Sequence, residues 1–298
     1  MIIYESGQKI EQSSIVMLGM FDGLHIGHRR LIKTAKAEGK KRGLKTVLFT
    51  FLSNPKQDKP CVITNEKKIE LCEELGIDAV YFREFTEDFR KMSPEEFVCY
   101  LKETLNAEAV VAGFDYRFGH KHMGGIEELK KGDFELFVVP EVKIDGEKVS
   151  STLVRTYIEN GEIGKANRML GYNFSVDGIV LPGRSVGRKL GFKTANIEIP
   201  KGLVTPKYGV YATKTAIGEK KFCSVTNVGV NPTFGLKKAI VETHILGFDE
   251  DIYDKKISVE FIEFLREEKK FSSEGELSRQ IMLDVSRARE ITEDKNAY

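Results

Sequence analysis

Two histidines near the start of the chain stand three residues apart in a setting that suits phosphate binding. The segment SIVMLGMFDGLHIGHRRLIKTAK indicates a buried strand, a turn with Gly19 and Gly23, and a helix that begins near His28. Free backbone N–H groups at a helix start attract anions, and glycines allow a ligand to approach the main chain. We therefore predict that His25 and His28 face the phosphates of a nucleotide. The alternative, ordinary turn and cap residues, does not explain the strand, glycines and helix start together.

A second set of polar residues lies in the glycine-rich, basic segment DGIVLPGRSVGRKLGFKTANIEIP. Thr194 and Asn196 are two apart on a strand-like stretch, so their side chains point to the same face and offer oxygen atoms to a cation such as Mg²⁺. In AIVETHIL, the alternation places Glu242 and His244 on one face. The pattern favours a magnesium–nucleotide site, and an edge strand with solvated polar residues is the alternative.

A third segment, VSSTLVRTYIENG, carries hydroxyl groups where a helix should begin. Ser150, Ser151 and Thr152 are typical of helix starts. Arg155 falls on the same helix face as Thr152 by the three-residue spacing. The group predicts a phosphate clamp, while a simple helix cap followed by a surface charge is the alternative.

The elements that position these residues follow two different patterns. In the first half, the apolar runs SIVMLGMF, KTVLFTF, DAVYF, AEAVVAG and FELFVVP alternate with charged, helix-favouring segments. This pattern predicts a parallel sheet with helices on its faces. At SPEEF, Ser93, Pro94 and Glu96 mark a helix start with a capping box. The fold class is therefore α/β in this half.

From about Asn173 onward, strand-like runs follow one another without helices between them: FSVDGIVL, YGVYATKT, KFCSVTNVGV, AIVETHIL and ISVEFIEFL. They predict antiparallel pairing in a small barrel. The stripe Leu277, Ile281, Val285 and Ala288 predicts a terminal helix packed on that barrel. We place the domain boundary between residues 172 and 173, which gives domains 1–172 and 173–298.

Composition limits the partners and the compartment. The 46 Lys and Arg residues nearly balance 45 Asp and Glu, so no net field favours a polyanion or an acidic membrane. Four widely spaced cysteines, no secretory start and no long apolar run favour a reduced, cytoplasmic protein without a membrane partner. We expect small-molecule substrates, no nucleic-acid partner, and a monomer or weak homo-oligomer.

The turn GMFDGLHIGH resembles the HxGH signature of the nucleotidyltransferase superfamily, in the form carried by prokaryotic FAD synthetases. The whole chain resembles the bifunctional riboflavin kinase and FMN adenylyltransferase enzymes. This resemblance implies a Rossmann-like nucleotidyltransferase sheet and a C-terminal kinase barrel. It implies that ATP and Mg²⁺ serve to convert riboflavin to FMN, and that ATP then adenylylates FMN to FAD with release of pyrophosphate. His25 and His28 would stabilise the ATP phosphates in the second reaction.

Two more segments of the first half match the same family. VVAGFDYRFGHKHMGG resembles the GxDFxFG loop, and VSSTLVRTYIENG resembles the ISSTxxR motif. The resemblance implies a catalytic role for Arg155. The nucleotide and phosphate contacts that it implies here are Gly19, Phe21, Asp22, Gly23, Asp115, Ser150, Ser151 and Thr152.

In the second half, GRKLGFKTANI is similar to the riboflavin kinase signature GRxLGxPTANI, and the likeness continues through YGVYA, NVGVNPTF and VETHILGFDEDIYDKKISVEFIEFLREEKKF. It implies that Glu242 is the general base that takes the proton from the ribityl hydroxyl. Thr194 and Asn196 would hold the metal on ATP. The further nucleotide or phosphate contacts that it implies are Gly183, Gly187, Arg188, Gly191 and Arg266.

The chain departs from the family pattern at three places. His122 stands where the family often has arginine, Ser53-Asn54-Pro55 replaces a sequence closer to PHP, and Lys193 replaces proline. A kinase with a decayed adenylyltransferase is therefore an alternative, against which the intact histidine motif argues. A flavin-binding regulator is another alternative. The balanced charge and the lack of a basic helix-turn-helix-like segment argue against it.

Overall fold

Two units with different sheets make up the chain. The structure, a computed structural model, describes residues 1–52, 59–182, 192–230 and 239–294. Its units are Met1–Ser151 and Thr152–Tyr298. The predicted domain boundary between residues 172 and 173 stays a prediction.

The first unit contains a parallel sheet with the strand order β1-β4-β3-β2-β5-β6. Strand β2 is buried at every position, as is typical of parallel strands covered on both faces. Five of the strands match the predicted apolar runs, and the edge strand β1 was not predicted. The bounds are β1 Ile2–Glu5, β2 Ser14–Leu18, β3 Lys45–Phe51, β4 Ala79–Arg83, β5 Ala107–Gly113 and β6 Glu135–Val139. A small hairpin follows, with β7 Lys143–Ile144 and β8 Glu147–Lys148.

The strand order of this sheet fixes where a ligand can bind. After β2, the chain continues to β3 and β4 on one side, whereas β5 and β6 lie on the other side. Ligands of open α/β sheets bind beyond the carboxyl ends of the strands at such a switch point. The turn that begins at Gly19 leaves β2 at this edge, and the loop that contains Asp115 leaves β5 there. The Rossmann-like fold expected for this half is confirmed.

Helices follow the strands with clear start and stop signals. Ser93 forms the predicted capping box with Glu96, and Gly43 ends the first long helix with a left-handed φ of 69°. The helices that lie wholly in the first unit are α1 Ile26–Arg42, α2 Asn65–Glu74, α3 Glu87–Lys91, α4 Pro94–Glu103 and α5 Ile126–Leu129. The later helices are α6 Ser151–Glu159, α7 Ile163–Leu170 and α8 Glu274–Asp294.

The second unit contains an antiparallel sheet with the order β10-β13-β12-β11-β14-β9. Its two edges are joined at Leu181 and Asn196, where the Leu181 N–H donates to the Asn196 carbonyl over 2.8 Å. The predicted barrel is therefore confirmed. The bounds are β9 Ser175–Ile179, β10 Ala195–Glu198, β11 Gly209–Ile217, β12 Lys220–Val230, β13 Ala239–Ile245 and β14 Lys256–Arg266.

Helix α8 covers part of the outer face of the barrel. Ala288 and Ile291 of this helix pack with Val210, Ala212 and Ile262 in one hydrophobic cluster. Val285 packs against the same cluster, as its place in the predicted stripe requires. The terminal helix expected from the sequence is confirmed.

The interior of the barrel contains a connected set of fully buried hydroxyl groups. Thr213, Thr215, Ser224, Thr226 and Thr243 have no exposed surface. The hydroxyl oxygens of Thr213 and Thr226 are 2.7 Å apart, and the Thr226 hydroxyl donates to the Thr243 hydroxyl over 2.8 Å. Because buried polar groups are costly without partners, this mutual bonding is what allows the barrel core to be polar.

Candidate active sites

The histidine pair of the first unit lies at the start of α1. His25 is the N-cap residue, and its Nδ1 atom accepts the N–H of His28 over 3.3 Å. The two imidazole rings stack with their centres 3.6 Å apart and an angle of 12° between planes. A Cβ atom on Gly27 would lie 3.1 Å from the His25 ring, which explains the glycine between the histidines. The structure therefore brings both predicted histidines to a helix N-terminus.

Burial decides the protonation of this pair. It lowers the pKa of His25 to about 4, although the backbone hydrogen bond of that residue opposes the shift. The pKa of His28 lies well below its usual value because of burial, and the nearby charges of His25 and Lys68 lower it further. Both rings are neutral near pH 7. Since Nδ1 of His25 accepts a hydrogen bond, its Nε2 atom carries the proton and can donate to a phosphate oxygen.

The turn before the helix is held in an unusual backbone conformation. Phe21 and Leu24 have positive φ values of 48° and 36°, and both side chains are fully buried. Gly23 has a φ of 81°, which glycine adopts without strain. A Cβ atom on Gly19 would lie 3.1 Å from the Phe21 ring. This arrangement supports a fixed turn, in which Gly19 is half-buried and Gly23 is buried.

Asp22 connects that turn to other segments of the unit. Its Oδ1 atom accepts the N–H groups of Val62 and Ile63 over 2.7 and 3.4 Å. Its carbonyl accepts the hydroxyl of Ser151 over 2.8 Å. The carboxylate thus fixes the segment before α2, and its predicted contact with a nucleotide stays a prediction.

Lys68 is a residue of this site that the sequence reasoning missed. It lies on α2 with only 5% of its surface exposed. Its Nζ atom donates to the Met20 carbonyl over 3.1 Å and to the Thr50 hydroxyl over 3.0 Å. A signal was present in the sequence, because Lys68 shares the buried helical stripe with Leu71 and Cys72.

The remaining predicted contacts of the first half lie in several places. Asp115 follows β5 and forms an exposed ion pair with Lys148. His122 is exposed and has a positive φ of 59°. Ser150 directly precedes α6, and Arg155 is a buried residue of that helix. Their roles toward a nucleotide stay predictions, as does the role of Thr152 on the same helix.

Three predicted residues of the barrel come together, with Asn196 and Glu242 on the paired strands β10 and β13 and Thr194 directly before β10. The Thr194 hydroxyl donates to Oε1 of Glu242 over 2.7 Å. Asn196 on β10 is the register partner of Glu242 on β13, and its side chain is buried. Oε2 of Glu242 makes no hydrogen bond to another described residue. The carboxylate is half-buried and retains an oxygen that can accept a proton.

This group fits a magnesium-bound nucleotide. Thr194, Asn196 and Glu242 supply hydroxyl, amide and carboxylate oxygens, which are the ligands Mg²⁺ prefers. Among the described residues, no three His, Cys, Asp or Glu side chains lie close enough to form a metal site of their own. The donor set therefore suits a cation that arrives with phosphates, since Mg²⁺ commonly binds through one or two protein groups plus the nucleotide.

A cleft opens beside these oxygens. Its apolar wall includes Val180, Phe248, Ile252 and Tyr253, and Thr194 lies in the same lining. The acidic lining residues are Asp249, Glu250 and Asp251. An apolar wall next to oxygens that suit Mg²⁺ has the composition of a site for a planar ring with a charged tail.

Other predicted residues of the second half are held elsewhere or lie outside the described part of the chain. The Arg266 guanidinium bonds both carboxylate oxygens of buried Asp284, at distances from 2.7 to 3.1 Å. Its role toward a nucleotide stays a prediction. Lys193 forms an exposed ion pair with Asp249. The positions that lie outside the described residues are Ser53, Asn54, Pro55, Gly183, Gly187, Arg188 and Gly191.

Comparison with known proteins gives the same two-part division as the motifs. A family model described as FAD synthetase matches residues 7–153, and one described as riboflavin kinase matches residues 170–292. A solved chain from Streptococcus pneumoniae, described as a macrolide-efflux protein, is 31% identical and has a TM-score of 0.90. The match covers 97% of this chain and 99% of that one. In the described parts of this chain, no helix has both the length and the apolar character needed to cross a membrane.

Curated relatives match nearly the whole length. The bifunctional riboflavin kinase/FMN adenylyltransferase of Listeria monocytogenes is 36% identical, and the match covers 91% of this chain and 90% of the relative. The Bacillus subtilis protein of the same name is 33% identical, with coverages of 94% and 93%. This protein therefore belongs to the family of bifunctional riboflavin kinase/FMN adenylyltransferases.

Proposed function

We propose that the protein makes FAD from riboflavin in two reactions, one in each half of the chain. In the first reaction, the barrel transfers the γ-phosphoryl group of ATP to the terminal ribityl hydroxyl, giving FMN and ADP. In the second, a phosphate oxygen of FMN attacks the α-phosphorus of another ATP, giving FAD and pyrophosphate. The hydrogen bond between Thr194 and Glu242, beside Asn196, is the observation that carries the kinase assignment.

In the kinase reaction, Glu242 accepts the proton of the attacking hydroxyl. Its Oε1 atom is held by Thr194, so the carboxylate is oriented before substrate binds. Thr194 and Asn196 would hold Mg²⁺, which neutralises charge on the ATP phosphates. Phosphoryl transfer needs mainly positioning and charge stabilisation from the protein, so this small set of groups is sufficient. The apolar wall of the neighbouring cleft would take the adenine ring.

In the adenylyltransferase reaction, neutral imidazoles act as hydrogen-bond donors. Nε2 of His25 donates to an ATP phosphate oxygen, and the stacked ring of His28 lies beside it. The N-terminus of α1 adds N–H groups and a partial positive charge. Both features stabilise the charge that develops as pyrophosphate leaves. Arg155, Ser150, Ser151 and Thr152 are proposed as further phosphate contacts by their match to the family motif.

The test is to incubate purified protein with riboflavin, ATP and Mg²⁺ and to separate the flavins over time. We expect FMN first and FAD second. If FMN forms but FAD does not, the protein has only the kinase activity. If riboflavin binds but is not converted, the result favours a flavin-binding regulator. Omission of Mg²⁺ should abolish FMN formation, which tests the metal requirement.

We further propose that the enzyme works in the cytoplasm on small molecules, as a monomer or weak homo-oligomer without a nucleic-acid partner. The formal net charge of +1 supports this, because it provides no general attraction for nucleic acid. Sedimentation at several concentrations, with and without added RNA and DNA, tests the proposal. Co-sedimentation with either nucleic acid at physiological salt would contradict it.

A further inference from the structure

Lys68 is a buried lysine that the proposed chemistry does not use. Helix α2 places it on the apolar stripe, and only 5% of its surface is exposed. Its ammonium group donates to the Met20 carbonyl over 3.1 Å and to the Thr50 hydroxyl over 3.0 Å. The Thr50 hydroxyl in turn donates to the same Met20 carbonyl over 2.8 Å. Two donors therefore hold one carbonyl at the first bend of the turn after β2.

Stability does not explain a lysine at this position. Burial of an ammonium group is costly, and an apolar residue of similar length would fill the space without that cost. Burial accordingly lowers the pKa of Lys68, and the carboxylate of Asp22 opposes the shift. A buried charge that does not add stability is typical of a functional site, where it acts on a charged ligand or on the groups that bind that ligand.

The neighbours of Lys68 are the groups of the histidine site. The side chain lies where its charge also lowers the pKa of His28, on α1. Four titratable groups face Lys68. They are Asp22 of the turn, His28 of α1, Cys72 of α2 and Cys61 of the segment before α2. The Phe82 ring of β4 lies 6.0 Å from the ammonium nitrogen. Within the described part of the chain, Asp22 is therefore the only carboxylate among the groups that face Lys68.

We propose that Lys68 is a positioning residue for adenylyl transfer, which fixes the turn through Met20 and places a buried positive charge near His28. The inference rests on the proposed function of the histidine site and deepens it. The fixed carbonyl sets the path of the turn from residue 20 to His25, where the helix begins. The charge favours the neutral form of His28 in the free protein and attracts the triphosphate when it binds.

The experiment uses the full chain with Lys68→Met and Lys68→Arg. Lys67→Met is the matched control, because Lys67 lies on the same helix but pairs with Glu70. FAD formation from supplied FMN, FMN formation from riboflavin, and the NMR titration of the imidazole C–H signals are measured. The chain has only five histidines, so these signals can be assigned by single substitutions. Cooperative melting checks that each variant is folded.

We expect Lys68→Met to slow FAD formation about ten- to a hundredfold, as small misplacements of catalytic groups do, and to leave FMN formation unchanged. The pKa of His28 should rise, because a nearby positive charge is removed. Lys68→Arg should restore most of the rate and the low His28 pKa, and the control should match the parent. These results together support the inference.

Two results would overturn it. One is a folded Met variant that forms FAD at the parent rate. The other is a slow Met variant in which the His28 titration does not move, since a purely structural role would explain that. A parent protein that forms no FAD would instead contradict the proposed function, and the His28 titration would still show whether Lys68 acts on the histidine without turnover.

Discussion

The two candidate sites differ in how deeply most of their polar groups are buried. In the parallel-sheet unit, Asp22, His25 and Lys68 are all more than nine-tenths buried and are hydrogen-bonded within the turn and its neighbours. In the barrel unit, Thr194 and Glu242 are only half-buried on adjacent segments, and Asn196 is the buried member of the group. The first arrangement is fixed before a nucleotide binds, which suits stabilisation of phosphate charge. The second leaves a carboxylate accessible, as the proposed role of Glu242 as general base requires.

The largest expected effect tests the accessible carboxylate. Glu242→Gln keeps the size of the side chain and an oxygen for the Thr194 hydroxyl, but it cannot act as a base. FMN formation should fall by about 10² to 10⁴ in rate. Riboflavin binding, followed by fluorescence quenching, and FAD formation from supplied FMN should change little. Glu260→Gln is the matched control, because Glu260 lies on β14 and pairs with Lys221. A Glu242→Gln variant with the parent kinase rate would show that the base lies elsewhere.

The fixed site should respond to the loss of one donor. His28→Ala removes a stacked imidazole that is proposed to serve only the first site, so FAD formation should fall by about 10² to 10³. FMN formation should stay at the parent rate. Lys33→Ala, an exposed change on the same helix, is the control. Equal loss of both activities in a folded protein would contradict the separation of the two sites.

Burial of the histidine pair should make the unfolding free energy depend on pH. Unfolded His25 binds a proton below its ordinary pKa of 6.5, whereas the folded residue does so only near 4. The folded state therefore loses stability as the pH falls through this window, by up to about 1.4 kcal/mol per pH unit. Over the whole window, the unfolding free energy of the parent should fall by about 3 kcal/mol relative to that of the His25→Gln variant. Urea unfolding of both proteins at several pH values measures it, and parallel pH curves would contradict the buried neutral state.

The smallest expected effect concerns the boundary between the units. Asn167 of α7 donates to the Phe261 carbonyl and accepts the Phe174 N–H, both over 2.8 Å. A fragment 173–298 lacks this residue, whereas a fragment 152–298 keeps it. The loss of these two bonds alone should make the shorter fragment less stable by about 2 kcal/mol, since each bond contributes about 1 kcal/mol. Melting temperatures test this, and FMN formation shows which fragment retains the kinase. Equal melting temperatures would support the boundary at 172/173 as a folding boundary.

Local sequence patterns predicted most of the architecture. Buried parallel strands, alternating barrel strands and the Ser93 capping box each depend on residues close together in the chain, so their patterns are visible in the sequence. The histidine pair and the TAN segment were found for the same reason. The edge strand β1 was missed because an exposed four-residue strand has little hydrophobic pattern.

Contacts across long chain separations could not be predicted. Asp22 bonds a segment forty residues away, and Lys68 bonds a carbonyl forty-eight residues away. Arg266 pairs with Asp284 of α8, which no local pattern indicates. Such partners depend on how elements pack, and only the folded chain specifies that. Lys68 was detectable as a charge on an apolar stripe, but its partners were not.

His25 also has a consequence for attempts to engineer the protein. Helices are capped best by Ser, Thr, Asp or Asn, and His25 occupies the N-cap of α1 instead. A stability-guided redesign would replace it with aspartate and gain up to about 1 kcal/mol in helix capping. The same change would replace the proposed hydrogen-bond donor to phosphate with an anion, at the place where the triphosphate is proposed to bind. Selection for thermal tolerance and selection for FAD formation should therefore choose different residues at this position, so libraries intended to stabilise the enzyme should keep residue 25 fixed.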